Sequence, residues 1–164
     1  MKRTGSGAPE HTTKEERMFT HLLVPVDGTE LSERAEQTGI DLAKKLGARI
    51  TGFVAEPMPP MPTMAANVTA YQRDSDAHMA RTEEHANEVL KRFAARAAEA
   101  GVPFAGKFQR TDSVDDSIVK AGDEFGCDLI VMVTHGRGAF GELLFGSHTK
   151  NVLSRSKLPL LVLH

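Results

Sequence analysis

The sequence predicts an α/β protein, a doubly wound five-stranded parallel sheet in the strand order 3-2-1-4-5. Three observations carry this expectation. Short apolar runs alternate with amphipathic stretches as β-α-β-α-β-α-β-α-β, and strict alternation means parallel strands joined by right-handed crossovers. The run Asp128–Val133 (DLIVMV) is unbroken and apolar after its first residue, as a central strand buried on both faces must be. Two glycine-bearing turns, at Asp27-Gly28-Thr29 and from Gly136 onward, each follow an apolar run. In open sheets of this kind, ligands sit beyond the carboxyl ends of the strands, where the strand order reverses. Placing the first strand beside the fourth brings those two turns face to face across more than 100 residues of chain.

The elements follow in order. Residues 1–17 are polar, hold four basic and three acidic residues, and read as a flexible tail before a domain spanning 18–164. His21–Val26 (HLLVPV) is the first strand. Thr29 is placed to cap a helix over Glu30–Leu46, with Leu31, Ala35, Leu42 and Leu46 at helical spacing and Gly47 to end it. Ala48–Val54 is the second strand. The segment Ala55–Ala70 carries four prolines and the methionines Met58, Met61 and Met64, and reads as a lid or mobile loop. Tyr71–Ala100 is one long helix, with Val89, Phe93 and Ala97 on one face. Pro103–Arg110 is a weaker third strand. Ser113 and Asp116 resemble a capping box ahead of a short helix that buries Val114, Ile118, Ala121 and Phe125. After the fourth strand come the glycine-rich segment Gly136–Gly146, a helix from Ser147 to about Arg155, and a final strand, Leu158–Leu163.

Composition excludes several classes. The 164 residues fit one domain with a sizeable core. A net charge of −2 argues against a general nucleic-acid binder, and 5% aromatic residues without Trp argue against a base-stacking platform. The single Cys127 excludes a disulfide framework and a cysteine-based zinc site, and fits a reducing compartment; beside a core strand it reads as a small buried hydrophobe. The longest apolar run, Leu129–Val133, is far too short to span a bilayer.

The glycine-rich segment is the main candidate for chemistry. Gly136–Gly141 (GRGAFG) matches GxGxxG, but residues 155–164 hold no acidic residue to meet a ribose, so a dinucleotide fingerprint is rejected. Gly141–His148 (GELLFGSH) lacks the lysine of a P-loop. There remain a strand, a glycine-rich excursion and Gly146-Ser147 at a helix start. A helix N-terminus aims backbone N–H groups and partial positive charge at an anion, yet an ordinary turn with an N-cap has the same shape, and the residues alone leave both open. Asp27 is a turn residue or a ligand group, and its place opposite the glycine loop favours the ligand. His135 reads as a loop-orienting residue. His148 lies in the first helical turn, where its backbone N–H is the better ligand contact. His78 and His85, seven apart, miss the i, i+4 spacing of a metal pair and read as solvated.

The stretch VMVTHGRGAFGELLFGSHTKNVLSRSKLPLLVL resembles the C-terminal signature of the universal stress protein family, G-x2-G-x9-G-[ST], with Gly136, Gly146 and Ser147 in register. HLLVPVDGTELSERA resembles that family's first strand and turn. The resemblance runs from about Phe19 to Leu163. It implies a Rossmann-like adenine-nucleotide-binding fold that holds ATP, alone or with Mg²⁺, in the switch-point cleft. By the same resemblance, Asp27 holds the ribose hydroxyls, while Pro25, Val26 and the backbone near Val54 flank the adenine. His135, Gly136, Arg137, Gly138, Gly146, Ser147, His148 and Thr149 surround ribose and phosphates. Val133 stands where the signature has its first glycine, and a branched side chain there either narrows the approach or points into the sheet. The expected function is regulatory binding of an adenine nucleotide in a cytoplasmic stress protein, without nucleic-acid or membrane partners. The alternatives are a slow ATP-hydrolysing enzyme and a dimeric interaction module of the same fold with an empty cleft. The apolar strand Leu158–Leu163, last in the chain, is an exposed edge that predicts a two-fold homodimer.

Overall fold

The computed structural model describes residues 18–62, 67–134 and 146–164; the tail at 1–17, Met64 and the signature loop at 135–145 lie outside the described residues. Nine elements alternate: β1 (His21–Pro25), α1 (Glu30–Leu46), β2 (Arg49–Glu56), α2 (Val68–Glu99), β3 (Phe104–Arg110), α3 (Val114–Glu124), β4 (Leu129–Val133), α4 (Ser147–Arg155) and β5 (Leu160–Leu163). The sheet is parallel throughout, in the order β3-β2-β1-β4-β5, as expected. Leu22 stands between Ile50 on one side and Leu129 on the other, so β1 is the centre of the sheet.

Side chains alternate between the two faces of the strands. Leu22, Val24, Ile50, Val54, Leu129 and Val131 pack with Ala35, Ile40 and Ala43 of α1 and with Ala86, Val89 and Phe93 of α2. Leu23, Phe53, Ile130 and Met132 pack on the opposite face with Ile118 and Ala121 of α3 and Val152 of α4. Cys127 joins that second layer; burial, opposed by a hydrogen bond with Thr51, pushes its thiol up to about 11, so it is an inert part of the core. Gly52 is required by close approach, because a Cβ there would lie 2.7 Å from the Phe104 ring and 2.9 Å from Phe93. Among the described residues, no helix is long and apolar enough to cross a membrane.

Four local expectations are corrected. The long helix starts at Val68, not Tyr71, because the Asn67 side chain caps it, accepting from the backbone N–H groups of Thr69 and Ala70. The capping box at Ser113 does not form. Ser113 Oγ donates instead to Asp116 Oδ2, since the shorter Asp cannot reach back as Glu would and Arg155 of α4 holds the same carboxylate. The last strand starts at Leu160; Pro159 has no N–H for the ladder, though its carbonyl accepts from Ile130. Finally, the two α2 histidines are partnered. His78 Nε2 pairs with the Pro57 carbonyl at 3.1 Å and His85 Nδ1 with Glu56 Oε1 at 2.6 Å, fastening α2 to the end of β2.

Candidate functional site

At the carboxyl end of β1, Val26 N–H donates to the Phe53 carbonyl, and the chain then turns through Asp27 and Gly28 into α1. Gly28 has φ +79°, and its N–H donates to Ser32 Oγ. Asp27 Oδ1 accepts from both the backbone N–H and the hydroxyl of Thr29, at 3.0 and 2.7 Å. Burial pushes the Asp27 carboxyl up, but the hydrogen bonds from Thr29 and Ser32 outweigh it and hold the group below the ordinary carboxylate value. Thr29 in turn caps α1 by accepting from Ser32 N–H.

Across from this turn, β4 ends at Val133. Thr134 is buried; its N–H donates to the Leu163 carbonyl, and its hydroxyl accepts from Gly146 N–H at 3.1 Å. That contact sets the start of α4, whose first helical bond runs from Lys150 N–H to the Gly146 carbonyl. Gly146 is the N-cap and has no side chain with which to cap this helix, and no acidic residue lies in its first turn. The N–H groups of Ser147, His148 and Thr149 are first-turn donors without an intrahelical partner.

Between the two turns lies a cavity of about 290 Å³. Pro25, Val26, Asp27, Val133, Gly146, Ser147, His148 and Thr149 all line it, brought together as the sequence predicted. Val54 does not. Its side chain is buried in the α1/α2 layer, and β2 presents Phe53 and Ala55 to the cleft instead. His135, Gly136, Arg137 and Gly138 lie outside the described residues. Val133 lines the cleft while also packing against the α1/α2 core. Sequence reasoning missed the apolar wall of Phe53, Ala55, Val114, Ile118 and Met132, and the polar Thr134. The signal for Phe53 and Ala55 was the two-residue period itself, since a Val54 that faces the helices turns its neighbours to the other side.

The profile of the universal stress protein family matches residues 18–164. The chain belongs to that family. The universal stress protein in the QAH/OAS sulfhydrylase 3′ region of Thermus aquaticus is 29% identical over 145 residues, covering 88% of this chain and 98% of that protein. Among solved structures, MJ0577 of Methanocaldococcus jannaschii superposes with a TM-score of 0.67 at 22% identity, covering 89% of this chain and 96% of that one. A universal stress protein in complex with cAMP gives 0.65 at 23% identity, covering 90% and 98%. These likenesses share the universal stress protein fold. The chemistry of this member's cleft rests on its own residues: an apolar wall, an acceptor carboxylate at Asp27, and the first-turn N–H donors of α4.

Proposed function

We propose that this universal stress protein binds an adenine nucleotide, ATP or a close relative, as a regulatory ligand in the β1/β4 cleft. The observation that carries the reading is the pairing, across one cavity, of an apolar wall with a helix start whose N-cap is a glycine and whose own first turn holds no acidic residue. A flat base suits Pro25, Phe53, Ala55, Ile118 and Met132. Ribose hydroxyls are donors, and Asp27 is an acceptor-only carboxylate at neutral pH. Phosphates suit the first-turn donors at Ser147, His148 and Thr149. By the family resemblance, Gly136, Arg137 and Gly138 would join them around the ribose and phosphates. Support of a coarser kind comes from solved relatives that contain cAMP, dAMP (from Archaeoglobus fulgidus) and AMP (from Arabidopsis thaliana). Among the described residues no group of three or more His, Cys, Asp or Glu could hold a metal ion, so Mg²⁺ would enter as a counterion of the phosphates, with Asp27 the cleft's own carboxylate.

The same reading takes the protein as a cytoplasmic homodimer. Its support is β5, an apolar strand at the edge of the sheet, half-buried along its length. Mass spectrometry of nucleotides that co-purify, followed by calorimetric titration with ATP, tests the ligand. The expected result is an adenine nucleotide retained or bound; absence of both carry-over and heat defeats the reading. Sedimentation at micromolar concentration tests the assembly, and a monomer throughout that range overturns it.

A further inference from the structure

His148 stands at the second position of α4 and lines the cleft. Its Nδ1 is paired with Asp115 Oδ1 of α3, and the other oxygen of Asp115 accepts from Asn151 Nδ2 at 2.6 Å. The Asp115 side chain is 14% exposed and the His148 side chain 64%. An ionised carboxylate only accepts, so the bond fixes a proton on Nδ1 and leaves Nε2 as the ring nitrogen with which His148 can meet a ligand. A cation at a helix N-terminus is normally out of place, because it meets the positive end of the dipole. The Asp115 carboxylate offsets that repulsion from behind, and a phosphate would offset it from in front.

We propose that Asp115 and His148 form a phosphate clamp, in which an imidazole carrying a proton on each nitrogen donates from Nε2 to a phosphate oxygen and makes the cleft select phosphorylated ligands over the bare nucleoside. The proposal rests on the nucleotide reading of the cleft and assigns its specificity to a side-chain pair. On α3, Asp116 is bound to Arg155 and Ser113, with Lys120 beside it. On α4 the other charged groups are Lys150 and Arg155, and Asp27 stands across the cleft. Asp116 and Asp27 are both held below the ordinary carboxylate value, by hydrogen bonds from Arg155 and Ser113 in the first and, against burial, from Thr29 and Ser32 in the second. Neither changes charge in the range where imidazole does.

The test is titration of the full chain with ATP and with adenosine at about pH 6 and about pH 8, in wild type, His148→Gln and Asp115→Asn. His148→Gln is expected to lose about tenfold in ATP affinity at the lower pH and little at the higher. Asp115→Asn should show a smaller loss with the same trend, and adenosine should bind all three proteins alike. Comparing variant with wild type at each pH cancels the protonation of ATP itself. Equal ATP affinity in wild type and His148→Gln at both pH values overturns the clamp. So does a parallel loss of adenosine binding, which would make His148 a structural prop. If wild type binds neither ligand, the nucleotide reading fails and takes the clamp with it, an outcome distinct from tight ATP binding that ignores His148.

Discussion

Two helices begin at the cleft, and they begin in opposite ways. The start of α1 is internally satisfied: Thr29 caps it, Asp27 holds Thr29, Ser32 receives Gly28 N–H, and Glu30 and Glu33 occupy the first turn. The start of α4 has Gly146 in place of a capping side chain and no acid nearby in its own turn. Carboxylates at a helix N-terminus stabilise it by roughly 0.3–1 kcal/mol each, so α1 already has the negative charge its dipole favours. The difference gives the cleft a polarity. By that polarity the proposed nucleotide would lie with its ribose toward Asp27 and its phosphates toward Ser147.

Breaking the α1 end should have the largest effect, on stability. Gly28→Ala places a Cβ 2.8 Å from Val89 Cγ2, in a backbone conformation with φ +79° that side chains rarely adopt. The expected cost is about 2 kcal/mol or more, read as a fall in melting temperature of about 5 °C or more. An unchanged melting temperature would mean that the turn presenting Asp27 relaxes freely.

Breaking the α4 end should act on the ligand instead. Among the described residues, a Cβ added at Gly146 meets Thr134 Oγ1, at 4.0 Å, and φ is −55°, so Gly146→Val carries no positive-φ strain. The branched side chain would stand where phosphate approaches, and ATP affinity should fall at least tenfold, about 1.4 kcal/mol. Calorimetry that finds full affinity in a folded variant would displace the phosphate site from this helix start.

The smallest effect sharpens the comparison. Thr29→Ala removes both the cap of α1 and the hydroxyl held by Asp27, with an expected cost of about 1 kcal/mol. Because the native Asp27 carboxyl lies below its unfolded value, its stabilisation is complete above the unfolded value and lost as pH falls through the native one. In Thr29→Ala the Asp27 titration, followed by NMR, should move up toward the ordinary carboxylate value. No movement would show that Thr29 is not what holds the group down.

What could be read from the chain alone was what local physics decides. The alternation of apolar runs and helical stretches, the unbroken LIVMV, the Thr29 cap and the turn at Asp27 each depend on residues a few positions apart, and parallel topology follows from their order. From that order came the switch point, and with it the juxtaposition of Asp27 and Ser147. Caps were misjudged twice: Asn67 lengthened α2, and Asp116 answered to Arg155, 39 residues away, instead of to Ser113's backbone, although α3 still starts at Val114. Only the tertiary structure decided which face each strand residue takes. Val54 went to the α1/α2 layer and Phe53 to the cleft because both faces of a central strand are apolar, so the pattern carries no mark of side. The same holds for His148, His78 and His85. A histidine's sequence neighbours do not say what it meets, and the pairing of His148 with Asp115, 33 residues earlier, exists only because the sheet packs α3 against α4.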